Sequence, residues 1–169
     1  MKRLLKVVNY CYAIEFGKKH GISVLLNPAP ATKELNIEQV CQCDFFMPNE
    51  TELAILTGMP VSTLDEVEAA AQTLIDRGLK NVIVTLGGHG SLWLSKEGKH
   101  MVNPFKVNAV DTSGAGDAYI GCFSCCYVQT GDILSSMKTA SAFAALSVTK
   151  RGTQKSYPEK EDVLKLLKG

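Results

Sequence analysis

The chain has 169 residues, 46% of them hydrophobic, which is enough to bury one sizeable core and predicts a single globular domain over residues 1–169. Eighteen basic residues stand against 17 acidic ones, a formal charge of +1 with no long run of one sign, so neither nucleic acid nor an acidic membrane is indicated as a partner. The six cysteines lie in apolar stretches without the spacing of a secreted disulfide framework, which points to reduced thiols and a cytosolic setting.

Residues 3–19 place Leu4, Leu5, Val8 and Tyr12 at helical spacing, and Lys18, Lys19, His20 and Gly21 supply a C-terminal stop. Asn9 and Glu15 interrupt the apolar run and no small-residue cleavage site follows, so the segment reads as an amphipathic helix rather than a signal peptide. The run ISVLLN, residues 22–27, predicts a buried strand that ends in the proline-rich turn PAPA. A short helix near 33–42 leads to a second strand in DFFM, and PNETELAILTG predicts a helix starting at Asn49 and stopping at Gly58. Thr63 and Glu66 form a capping box for the next helix, whose Leu64, Val67, Ala71 and Leu74 line one face before Gly78 ends it.

NVIVTLGGHG predicts a third buried strand running into a glycine loop. Residues 91–108 alternate as short strands around Glu97-Gly98, and helices are expected over 115–129, 132–149 and 159–168. Cys122 and Cys125 form a C-x-x-C inside GCFSCCYV, which reads as packed helix, while His20, His89 and His100 have no metal-ligand spacing.

Continuous apolar strands alternating with helices imply an α/β fold, a three-layer Rossmann-like sandwich with a mainly parallel sheet and helices on both faces. Ligands on such sheets bind at the carboxyl ends of the strands. NPAPA, PNETE and TLGGHG follow three strand-like runs and DTSGAGD follows another extended stretch, so all four polar motifs are expected on one edge of the sheet.

No lysine-bearing phosphate loop occurs, and the dinucleotide pattern fails because Tyr119 stands where a third glycine is needed. What remains is Gly114 and Gly116, which let backbone approach a ligand closely, followed by a helix N-terminus that points N–H groups at it. Such an anion hole with Asp117 at its lip suits phosphoryl transfer: the carboxylate takes the proton of an attacking hydroxyl while the N–H groups stabilise phosphoryl charge. A glycine-rich helix start with an acidic first turn accounts for the same residues.

DTSGAGD resembles the second signature of the ribokinase-like (PfkB) carbohydrate kinases, and NPAPA, PNETE, TLGGHG and RGTQKSYP stand in the order and spacing found in ribokinases. The resemblance covers nearly the whole chain. It implies transfer of the ATP γ-phosphoryl group to O5 of D-ribose, giving ribose 5-phosphate and ADP. It makes Asp117 the base that contacts the sugar 5-hydroxyl, and Gly114, Ala115 and Gly116 the anion hole. Asn49 and Glu52 match an N-x-x-E motif that organises Mg2+ and the phosphates through water, although the same pair also makes a capping box.

By the same resemblance Thr85, Leu86, Gly87, Gly88, His89 and Gly90 form the nucleotide loop, together with Gly116 and Asp117. Ser141 stands near the adenine, where relatives often carry an amide or imidazole. Asp111 through its carboxylate, with Ser113, Ser147, Lys150, Gly152 and Ser156 mostly through backbone oxygens, matches a monovalent cation site for K+. A turn-forming role explains Asp111 equally well. ATP, Mg2+ and K+ are thus the implied cofactors, D-ribose and ATP the small-molecule partners, and a homodimer the assembly of the full-length protein. The implied location is cytoplasmic, with the nucleus as a second compartment.

Complete ribokinases are considerably longer, and their N-terminal half carries the glycine-rich sugar motif and lid strands. This chain begins MKRLLK at that point, so most contacts that select ribose are expected to lie outside it, and the chain as written is expected not to phosphorylate ribose at an enzyme-like rate. Another sugar or nucleoside kinase of the family, or a truncated inactive nucleotide-binding module, are the alternatives.

Overall fold

The computed structural model describes residues 2–32 and 35–168, with side chains of the first helix described from Tyr10 onward. The chain falls into two compact units, residues 1–85 with 92–100 and residues 86–91 with 101–169.

The first unit opens with α1 (Lys2–His20), then β1 (Leu25–Leu26), α2 (Ile37–Val40), β2 (Phe45–Phe46), α3 (Glu50–Thr57), α4 (Leu64–Asp76) and β3 (Asn81–Thr85). With β4 (Ser91–Ser95) and β5 (Gly98–Val102) the strands form one sheet in the order β1-β2-β3-β4-β5. The first three are parallel, with Leu25 opposite Phe45, Leu26 opposite Phe46 and Phe46 opposite Val82. The two-residue connection Lys96-Glu97 between β4 and β5 permits only an antiparallel hairpin. An α/β fold with a mostly parallel sheet results, as the alternation of patterns predicts.

The apolar run of β3 is explained by burial of Val82, Ile83 and Val84 in succession, which a strand covered on both faces requires. Helix α4 buries Val67, Ala70, Ala71, Leu74 and Ile75 along one face, each large side chain contributing about 1.5–3 kcal/mol. Its predicted capping box is present: Thr63 Oγ1 accepts from the Glu66 N–H at 3.2 Å, and Glu66 Oε2 accepts from the Thr63 N–H at 3.1 Å.

Several expected elements are shorter. The strand expected over 22–27 contracts to Leu25–Leu26, and polar side chains add bonds to the backbone at its ends. Asp44 Oδ2 accepts from the Val24 N–H at 2.9 Å, and Asn27 Nδ2 donates to the Met47 carbonyl at 2.8 Å. Asp44 also pairs with Lys80 at 2.8 Å. Burial raises the Asp44 pKa, but the Lys80 and Val24 bonds outweigh it and hold the carboxyl below its ordinary range. The helix expected near 33–42 is Ile37–Val40, with residues 33 and 34 outside the described residues.

The strands expected over 91–108 end at Val102, so DTSGAGD follows irregular backbone instead of a strand. Pro104, which has no N–H to donate, falls in that stretch. NPAPA, PNETE and TLGGHG do follow β1, β2 and β3 at their carboxyl ends, and an isolated parallel bridge joins Asn49 to Thr85 there.

The second unit is mainly helical: α5 (Ala115–Thr130), α6 (Ile133–Ser147) and α7 (Lys160–Lys168). Gly131 in the left-handed region, φ 68°, ends α5, and Asp132 caps α6 by accepting from the Ser135 N–H at 3.0 Å. Ala118, Tyr119, Phe123, Met137, Ala140, Ala142 and Val163 form the buried core of this unit. No described helix is long and apolar enough to cross a membrane.

Gly87 and Gly90 both take positive φ in the loop 86–90, and Gly90 is the more constrained. Gly90 has φ 96°, and a Cβ there would run into the Val102 carbonyl oxygen, which is backbone and cannot step aside. Gly90→Ala is therefore expected to destabilise the protein by at least about 2 kcal/mol, read from the urea midpoint.

Candidate functional site

The N-terminus of α5 is built by a left-handed glycine. Gly114 takes φ 76° and ψ 7° as the N-cap and, having no side chain, leaves the helix end without a side-chain cap. The Ala115 N–H turns back to the Thr112 carbonyl at 3.2 Å and the Ala118 N–H bonds the Gly114 carbonyl at 2.9 Å. The N–H groups of Gly114, Gly116 and Asp117 have no acceptor among the described residues, so they are the donors open at the helix mouth. Of the predicted anion-hole trio, Ala115 is thus the one whose N–H is already engaged.

Asp117 is exposed in the first turn, and its carboxylate makes no hydrogen bond or ion pair with any described residue. An unpaired carboxylate at a helix start with three unpaired N–H donors can accept a proton next to an anion bound there. A Cβ on Gly116 meets nothing within 4 Å, so the space in front of it is open to a ligand.

Asp111 ties this helix start to the segment after α6. Its Oδ1 accepts from the Ser113 N–H at 3.0 Å and its Oδ2 from the Gly152 N–H at 2.9 Å. The Gly152 bond, then the N–H and hydroxyl of Ser113, hold the carboxyl down to about 2. The Val148 carbonyl accepts from both Val110 and Asp111 N–H groups, at 2.7 and 3.1 Å. Asp111, Ser113 and Gly152, three of the residues expected at a cation site, are therefore joined directly. Ser156 closes the following turn on the Thr153 carbonyl at 2.7 Å, while the Ser147 hydroxyl turns back to Ala144 in its own helix and Lys150 is exposed.

In the expected nucleotide loop, residues Gly87–His89 make one 3-10 turn closed by the Leu86 N–H on the Gly90 carbonyl at 2.9 Å. Gly87, Gly88 and His89 are exposed and Leu86 is buried as the anchor. Ser141 is 8% exposed and its hydroxyl acts on the phenol of Tyr119, so it faces the core of its unit. Tyr119 and Ser91, whose hydroxyl oxygens lie 2.9 Å apart, are not paired in the sequence reading. The available signal was a tyrosine two residues after Asp117 and a serine ending the glycine loop.

Within the first unit, Asn49 and Thr85 sit side by side at the ends of β2 and β3. The capping box is complete: Asn49 Oδ1 accepts from the Glu52 N–H at 2.8 Å and Glu52 Oε2 from the Asn49 N–H at 2.9 Å. Glu52 is only 7% exposed, and its Oε1 accepts no hydrogen bond from a described residue, so one oxygen of a fixed carboxylate remains for a hydrated divalent cation.

Residues 1–160 match the model of the pfkB family carbohydrate kinases. The chain is similar to the deoxyribokinase of Salmonella typhi, 63% identical over 150 residues that make up 89% of this chain and 49% of the relative. It is 38% identical to the ribokinase of Haemophilus influenzae over 156 residues, 92% of this chain and 50% of the relative. The structure of Arabidopsis thaliana ribokinase complexed with ribose and ATP superposes with a TM-score of 0.88 at 32% identity, covering 94% of this chain and 52% of that one. The chain thus spans about half the length of the relatives it matches.

The two glycines of the helix mouth separate fold from site. Gly114→Ala, with φ 76° and Thr153 Cγ2 at 3.1 Å from the new Cβ, is expected to lose about 1–2 kcal/mol of stability. Gly116→Ala, in open space, is expected to leave stability unchanged or raise it by up to about 1 kcal/mol. Urea denaturation of the two variants checks both.

Proposed function

The chain belongs to the PfkB family of carbohydrate kinases, and from that premise we propose that it is the nucleotide-binding and catalytic portion of a pentose kinase, transferring the ATP γ-phosphoryl group to a sugar hydroxyl. The observation that carries this reading is the exposed, unpaired Asp117 carboxylate beside the open N–H groups of Gly114, Gly116 and Asp117. In the proposed reaction Asp117 accepts the proton of the sugar 5-hydroxyl as that oxygen attacks the γ-phosphorus. The N–H donors stabilise the charge on the transferring oxygens, and ADP leaves.

The exposed turn Gly87–His89 receives the nucleotide. Glu52, steadied by Asn49, would hold magnesium through water, which when bound neutralises phosphate charge. Asp111 and the backbone oxygens of the segment after α6 would hold the monovalent cation beside the helix mouth.

The acceptor in this reading is 2-deoxyribose, in place of the ribose expected from the sequence. Support comes from the identities, 63% to a deoxyribokinase against 38% to a ribokinase. A site shaped for one of these sugars discriminates by a single hydroxyl, worth about tenfold or more.

ADP release with MgATP, compared on 2-deoxyribose and ribose, tests the proposal in this chain and in a polypeptide of the relatives' full length that contains it. A kcat/KM at least about tenfold higher for 2-deoxyribose is expected, and the reverse preference would return the acceptor to ribose. In the active form Asp117→Asn should lower kcat by at least about 100-fold with little change in ATP affinity. Near-normal turnover in that variant would remove Asp117 from the chemistry.

A further inference from the structure

One buried polar cluster of the second unit takes no part in the reaction described. Tyr119 is 4% exposed, and its phenol oxygen lies 2.9 Å from the hydroxyl oxygen of Ser91, which is 0% exposed. The Ser141 hydroxyl acts on the same phenol. Burial pushes the phenol up to about 12 against the lowering effect of both serines, so it keeps its proton and its capacity to donate. A phenylalanine would bury the same ring without a hydroxyl that must be partnered, so packing alone does not account for this group.

The placement of the two ends is informative. Ser91 follows Gly90, the residue whose carbonyl closes the loop on Leu86. Tyr119 lies two residues beyond Asp117, in the first turns of α5. A single buried hydrogen bond therefore runs from the closing end of the loop 86–90 to the helix that carries the proposed base, across 28 residues of sequence. In a low-dielectric setting such a bond is directional and sensitive to small displacements of either partner.

We propose that Tyr119 is a positioning residue: through Ser91 its hydroxyl holds the loop Leu86–Gly90 in register with the N-terminus of α5, so that a nucleotide on the loop presents its phosphates to the helix mouth. The proposal rests on the nucleotide reading of that loop. Tyr119 touches neither the phosphates nor the acceptor and acts only through the loop.

The test uses the 169-residue chain with MgATP as the probe. Tyr119→Phe removes only the hydroxyl, and Ser91→Ala removes its partner. Each is expected to weaken ATP binding in calorimetry about fivefold, the scale of one hydrogen bond, and the double variant to be no weaker than either single one. Amide exchange at Leu86, His89 and Gly90 should rise in Tyr119→Phe while that of α4 stays unchanged. A lowered melting temperature with ATP affinity intact would make Tyr119 a packing residue and overturn the proposal, as would additive losses or unchanged loop exchange. If the unsubstituted chain binds no MgATP, the nucleotide reading falls and takes the proposal with it; if it binds and the variants bind equally well, the proposal alone falls.

Discussion

The carboxylate of Asp111 is the constraint on which the arrangement of the second unit turns. One oxygen accepts from Ser113 just before α5 and the other from Gly152 just after α6, so a single side chain clamps both ends of the helix pair. The charge is needed for this, since an ionised carboxylate makes shorter and stronger bonds to N–H donors than a neutral group does. With Ser113 held, the chain must turn sharply to enter the helix, and Gly114 supplies the left-handed residue that allows it. The open N–H groups and the exposed Asp117 follow from that turn.

The first unit reaches a comparable outcome by a different route. Its polar groups are gathered at the carboxyl ends of parallel strands, where Asn49 and Thr85 are bridged and the Asn49–Glu52 box starts α3. The box serves stability and chemistry together. Each of its bonds satisfies a donor that a helix start would otherwise leave unpaired, and the same bonds fix the direction of a buried carboxylate. The two roles weighed for this pair in the sequence are therefore compatible, because a cap at a strand's carboxyl end already stands where ligands of α/β sheets bind.

Asp111 shows the same economy of means. Its bond to the Ser113 N–H is the turn-forming contact that the residue type suggests, yet the second oxygen reaches Gly152, 41 residues away. A turn role and a long-range link to the segment after α6 coexist in one side chain. The loop 86–90 depends on long-range support as well, since Gly90 lies against the Val102 backbone and Ser91 against Tyr119.

The sequence by itself determined whatever is decided within a few residues. Helices α4 to α7 were legible from periodicity and caps, both capping boxes from an i, i+3 pair, and the helix mouth from Gly114, Gly116 and Asp117, because those hydrogen bonds and dihedrals are local. Tertiary structure alone decided the rest. Strand β1 is two residues long, with Asp44 and Asn27 side chains bonding the backbone at its flanks, and the stretch before DTSGAGD pairs with no strand among the described residues. The contacts Asp111 to Gly152 and Ser91 to Tyr119 join residues 41 and 28 positions apart. Such pairs carry no periodic signature, and only the folded chain, having met the entropy of closing those loops by packing its core, brings their polar groups within reach.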